Sequence, residues 1–253
     1  MCCFSRPVLG VSHTSIFARH LKPGWQGLIY SMQVNAKEPV AMVLPLPVTP
    51  GLGEGGLRFV DLSGYAGLFM DMDRLFPPPP ASRSRSLNAV DAMPQTLKVQ
   101  TVGSFVASYA PTRADMARLD PKFRLPEAAW KALPKVYERY GFAVFQLRAG
   151  DHNVHPMALE FASATPDTLF FPTVHVHDGK VHPAAEFDHT LYCQTAGGPP
   201  LSAGEAWVKS ALNAQDAVNL EQSKGLVTAG PCFKQRLYGH RTNEDTLVTL
   251  ATR

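Results

Sequence analysis

Residues 169–194 read LFFPTVHVHDGKVHPAAEFDHTLYCQ and hold four of the nine histidines in the chain. The apolar run rich in Phe, Val and Thr has strand character, and Asp178-Gly179 is the dipeptide that favours a two-residue type I′ hairpin turn. Folding about that turn pairs His177 with Lys180, Val176 with Val181 and His175 with His182. Alternate side chains share a face of a strand, and directly opposed Cβ atoms lie about 5 Å apart. His175, His177 and His182 are therefore expected on one side of one hairpin. Three neutral imidazoles with an open position form a ligand set of the catalytic kind, suited to copper, iron or zinc.

After Pro183, residues 186–194 resume as a strand. Period two puts His189, Leu191 and Cys193 on one face and Glu186, Asp188, Thr190 and Tyr192 on the other. Turned toward the hairpin, the first face supplies His189 as a fourth ligand and Cys193 as a nearby thiol. Turned the other way, Asp188 orients a ligand imidazole from behind. His152 and His155 flank Asn153-Val154 before Pro156, and His155 is expected on a loop behind the site. Cysteine, tyrosine and histidine together suggest redox chemistry. Tyr192 and Cys193 face opposite ways, so a Cys-Tyr crosslink would need Cys2 or Cys3 as its thiol.

Outward from this segment the chain continues to read as β-structure. Residues 13–19, 27–34 and 40–48 are strand-like, separated by turn chemistry at Lys22-Pro23-Gly24 and at 35–39. The glycine-rich run 51–56 lacks the GK[ST] ending of a phosphate loop and is expected to be a mobile loop. Residues 65–76 have helical spacing and end at four prolines. Residues 77–95 form a Pro-rich, then Ser/Arg-rich, linker. Strands are expected at 97–102, 105–109, 142–147, 157–162, 233–240 and 246–249. Helices are expected at 111–119, 126–140 and 203–212, with a weaker one at 215–222. Strands that mostly follow one another directly imply an α+β chain, mainly antiparallel, as two packed sheets or a sandwich with a few helices. A single domain over 1–253 is expected, with a possible subdivision at 77–95.

Composition narrows the function classes. The 253 residues are 45% hydrophobic and 18% charged, with a net charge of +3, which suits a globular protein that can bury a full core. No basic face of the kind nucleic acids require is evident, and no apolar run nears the ~20 residues of a membrane span. The four cysteines, Cys2, Cys3, Cys193 and Cys232, make neither a disulfide framework nor a CxxC pair. A cytoplasmic location is the expectation, with no membrane or nucleic-acid partner and with oligomeric state unspecified.

The runs MCCFS at 1–5, AMVLPLP at 41–47, YGFAVFQL at 140–147 and the histidine segment resemble a group of bacterial proteins without an established activity. The resemblance spans most of the chain and implies one shared architecture, with no catalytic residues attached. No serine-hydrolase elbow, Walker loop, Rossmann fingerprint or HExxH helix is present. The residues themselves lead to a mononuclear metal oxidoreductase, copper before iron, acting on a small molecule or dioxygen. The alternatives are a zinc hydrolase with Glu186 or Asp188 as base, and a protein that is no enzyme, either a metal carrier or a sheet-based binding module whose histidines are hydrogen-bonded.

Overall fold

The computed structural model describes residues 2–77, 106–200 and 206–250. Its strands are β1 (Cys2–Phe4), β2 (Gly10–Lys22), β3 (Trp25–Ala36), β4 (Val40–Leu46), β5 (Leu57–Val60), β6 (Val106–Ala110), β7 (Gly141–Leu147), β8 (Gly150–Ala162), β9 (Thr168–Phe171), β10 (His175–Val176), β11 (Ala184–Gln194), β12 (Val208–Asn213), β13 (Pro231–Thr242) and β14 (Thr246–Thr249). Two short α-helices, α1 (Leu68–Arg74) and α2 (Glu127–Ala132), accompany several 3-10 turns. One sheet has the order β10-β1-β4-β7-β6, a second the order β12-β13-β11-β2-β3-β8-β5, and β14 pairs with β9. The pairs are antiparallel except β1 with β10 and β11 with β2.

The alternation of apolar side chains explains the layering. Ile16, Leu28, Tyr30, Met42, Leu44, Phe145, Leu159 and Leu191 all enter one core between the two sheets. Their neighbours one residue along face outward. Val43, Phe142 and Val144 lie under Met116, Phe123 and Tyr137 on the outer face of the five-stranded sheet. Phe17, Ile29, Ala158 and Tyr192 lie under Leu68, Met72 and Leu75 on the outer face of the seven-stranded sheet. Because both faces of these strands are covered, their sequences read as continuous apolar runs.

Two prolines sit where a ladder tolerates a missing N–H. Pro45 in β4 lies beyond the reach of β1, which pairs only at Val43 and Met42. Pro156 in β8 falls where the register with β3 shifts between Val154 and Met157. Gly141 has a steric reason: an added Cβ would come within 2.6 Å of the Tyr109 hydroxyl.

Gln26 is fully buried and imitates a strand neighbour. Its Nε2 donates to the Phe170 carbonyl at 2.7 Å, and its Oε1 accepts from the Phe170 N–H at 3.0 Å. Truncation would strand two buried backbone groups at about 1–3 kcal/mol each. Gln26→Ala is therefore expected to lose about 2–5 kcal/mol in urea unfolding, whereas a loss under about 1 kcal/mol would show that β9 is held some other way.

Several expected elements differ. The 126–140 helix is broken into α2 and a 3-10 turn at Lys135–Arg139, with Pro134 between them, because proline cannot extend the preceding helix. Residues 111–119 form a 3-10 turn at Ala114–Arg118. Within 203–212, residues from Val208 onward are strand β12, paired with β13 around Lys234 and Phe233; pairing overrides a sequence that fits either period. The 215–222 candidate is reduced to a 3-10 turn at Ala214–Asp216 followed by turns. The 51–56 run contains a 3-10 turn at Gly53–Gly56. The strand expected at 97–102, and the 77–95 linker beyond residue 77, lie outside the described residues.

Candidate functional site

Strand parity decides where the histidines point. At and beside β10, Val174 and Val176 pack into the outer cluster of the five-stranded sheet, so His175 and His177 turn the other way, toward the space between the sheets. On β11, Leu191 and Cys193 face that same space, and period two carries His189 and Phe187 with them. Four rings meet as a result. His175 stacks on His177 at 4.9 Å between centroids, on His189 at 4.7 Å and on Phe187 at 4.4 Å, with interplanar angles of 18°, 27° and 23°. The Nε2 atoms of His175 and His189 are 3.3 Å apart, so one ring donates and the other accepts. Phe4 closes the far end, edge-on to His177.

The stack bridges β10, the edge strand of one sheet, and β11 of the other. Burial dominates its electrostatics. It holds the His175 imidazole down to about 3, with the neighbouring His177 adding to the effect. It holds His177 down to about 4 and pushes His189 far below the ordinary histidine range, with His175 contributing next. The rings are neutral near pH 7. His177 Nε2 and His189 Nδ1 are buried without a hydrogen-bond partner among the described residues, and the nearest acid to His189 Nδ1 is Asp188, at 4.0 Å.

His182 does not join them. Asp178 and Gly179 do form a turn, with the Asp178 carboxylate accepting from the Lys180 N–H at 2.9 Å and Gly179 at a φ of 80°. The two arms nevertheless fail to pair as a hairpin. β10 lies parallel to β1, Cys2 opposite His175 and Cys3 opposite Val176. Asn243 occupies the place of a ladder. Its Oδ1 accepts from the His175 N–H at 2.6 Å, and its Nδ2 donates to the carbonyls of His175 and His182, each at 2.9 Å. His182 then points to solvent and meets Asp178 at 2.9 Å.

The other expected members disperse. Tyr192 lies on the opposite face of β11, where its hydroxyl donates to Asp73 at 2.7 Å. Cys3 belongs to the outer cluster of the other sheet, so Tyr192 and Cys3 are not brought together. Of Cys2, only the backbone pairing with His175 is described. Cys193 is buried, and burial with Cys232 nearby raises its thiol well above the usual range. That favours an inert thiol over a reactive one. Asp188 accepts from the His13 N–H at 2.6 Å. His155 lies within β8 and not on a loop. It is buried, and burial lowers its imidazole from the ordinary value, with Asp61 acting the other way.

An imidazole lone pair lies in its ring plane, and a metal must sit about 2.0–2.1 Å from each ligating nitrogen. Among the described residues no group of three His, Cys, Asp or Glu side chains is arranged to hold a metal. Elemental analysis of the purified protein tests the expected metal: one copper, iron or zinc per chain, lost in His177→Ala, would support it, and a metal-free chain would reject it.

Sequence reasoning missed Asn243 and Asp245. The enclosed Asp245 carboxylate accepts from the N–H groups of Thr173 and Val174, at 3.0 and 3.2 Å, and from the Tyr137 hydroxyl at 2.5 Å. Burial raises it above the ordinary carboxylate range. The one signal was the polar triplet Asn243-Glu244-Asp245 between two strand runs.

No protein-family model matches the sequence, and no curated protein matches it. Among solved structures, a crystal structure of baculovirus P35 aligns with a TM-score of 0.50 at 13% identity, covering 96% of this chain and 97% of that one. The chain has the P35 fold. A chain of the caspase-8/P35 complex aligns with a TM-score of 0.45 at 10% identity, covering 94% of this chain and 96% of that one. A mutated baculovirus P35 after caspase cleavage gives 0.45 at 11% identity, covering 95% and 100%. At these identities the P35 likeness speaks to architecture alone. Among the described residues, no helix is long and apolar enough to cross a membrane.

Proposed function

We propose that this chain is a binding protein and not a metal oxidoreductase, and that the class of partner it takes is a caspase-type peptidase. One observation carries the reading: the fold of baculovirus P35 is matched over 96% of this chain and 97% of that one. P35 is a protein with a solved complex with caspase-8. The histidine cluster fits a binding protein as a structural element, because neutral stacked imidazoles join two sheets.

The test is direct. Caspase-8 is mixed with the purified chain, residual activity on a fluorogenic peptide is followed, and the mixture is resolved by size-exclusion chromatography. The expected result is stoichiometric inhibition with co-elution. Full peptidase activity at a tenfold excess of the chain, with separate elution, would reject the caspase assignment.

A further inference from the structure

We propose that the cavity rimmed by Arg113, Lys131 and Lys135 is a docking site for an acidic segment of a protein partner. Carboxylates of that segment meet the two lysines, and one of its apolar side chains enters the cavity. The site rests on the reading of the chain as a binding protein and adds the chemistry of what it binds.

The layer over the five-stranded sheet decides where charge is left over. Residues 111–140 carry seven Lys or Arg and four Asp or Glu. Internal pairing uses most of the acids. Asp120 meets Lys122 at 3.3 Å, Glu127 meets Arg113 at 2.7 Å and Asp115 meets Arg118 at 3.5 Å, with Glu54 joining Arg118 at 2.8 Å. Arg124 donates to the Ala117 and Leu119 carbonyls. Among the described residues no ion pair reaches Lys131, Lys135, Glu138 or Arg139. The surplus is three cations and one acid, all within 131–139.

Two of those cations stand at a cavity of about 250 Å³, which Trp130, Leu133, Pro134 and Tyr137 also line. Lys131 lies in the last turn of α2, Pro134 stops the helix, and Lys135 opens the 3-10 turn that follows. The two ammonium groups therefore come from either side of a proline break. The apolar lining is fixed in advance. Leu133 and Tyr137 belong to the outer cluster of the sheet, and the Tyr137 hydroxyl donates to Asp245. Trp130 packs edge-on to Phe142 at 5.0 Å, with Arg113 over its ring at 5.2 Å. A site already in place binds without the cost of ordering a loop.

The surroundings favour a peptide over a polyanion. Val136, between the cations, is 51% exposed, and Glu138 lines the same cavity. An apolar patch among a few charges is the make-up of a protein interface. A nucleic acid calls for a denser basic stripe and offers nothing for an apolar cavity.

The test is an NMR titration of the nitrogen-15 chain at about 50 mM salt with a blocked peptide of four glutamates around a central leucine. The Trp130 indole N–H and the backbone amides within 131–138 are expected to shift together, while the Trp25 and Trp207 indoles stay in place. Raising the salt to about 500 mM should weaken binding at least about tenfold, because exposed charge pairs are screened. Serine in place of the peptide's leucine should weaken it at least about threefold.

Lys131→Glu with Lys135→Glu is expected to weaken binding at least about tenfold. Lys37→Glu with Lys209→Glu changes the net charge equally at exposed positions elsewhere, and is expected to stay within about twofold. If the first pair unfolds the chain, Lys131→Gln with Lys135→Gln replaces it, with an expected loss of at least about threefold. The proposal is overturned by no shift within 131–138 at about 5 mM peptide, by an equal loss in both charge-reversed pairs, or by indifference to the leucine. Tighter binding of a single-stranded oligonucleotide of equal charge at the same residues overturns it too. The probe is a peptide and not caspase-8, so failure here is separate from failure of the caspase assignment.

Discussion

Lowering the pH from 7 to 5 is expected to destabilise the closed fold by up to about 6 kcal/mol through three side chains. His175, His177 and His189 are all held below the ordinary histidine range by burial. The unfolded chain therefore binds their protons first, and stability falls as pH drops through about 6.5 toward the depressed values of about 3 for His175 and about 4 for His177. The slope is about 1.4 kcal/mol per pH unit for each imidazole. Asp245 offsets part of it, because its raised value favours the proton in the folded state. Urea unfolding at half-unit pH steps measures the slope. A flat profile between pH 7 and 5 would mean that the imidazoles are solvated.

Asn243→Ala is expected to lose about 2–4 kcal/mol. One carboxamide serves the His175 N–H and two carbonyls, and orphaned groups in partly buried places cost about 1–3 kcal/mol each, less where water reaches them, as at His182. Asn243→Asp separates the roles. It keeps an acceptor for the His175 N–H but sets a carboxylate against two carbonyl oxygens, so it should be no better than alanine. Thermal or urea unfolding checks both. An alanine variant within about 0.5 kcal/mol of the parent would show that the two arms are held by something else.

The layering of the fold was legible because it is a matter of parity. Ile16 against Phe17, Leu28 against Ile29 and Met42 against Val43 each send one side chain to the shared core and the next to an outer cluster. Turn chemistry located most strand ends. Pairing was not legible wherever it joins distant residues. Nothing near Cys2–Phe4 announces a strand that inserts between β4 and β10, and Val208–Asn213 carries apolar spacing that suits a helix until β13 lies beside it.

The histidine cluster was legible in the same uneven way. Alternation set His175 and His177 on one face and His189 with Cys193 on another, since it depends only on each strand's own geometry, but it left open which face of β11 meets the first two rings. His182 failed because its place depended on a ladder between the arms, and a side chain 61 residues farther on, Asn243, takes the ladder's place.

Whether those three rings stay neutral is measured most directly by NMR titration of the histidine imidazoles, assigned through His175→Phe, His177→Phe and His189→Gln. In the folded chain at pH 7 down to 6, His175, His177 and His189 are expected to keep neutral-imidazole nitrogen shifts. Any of the three stacked rings titrating near 6.5 in the folded chain would contradict the account.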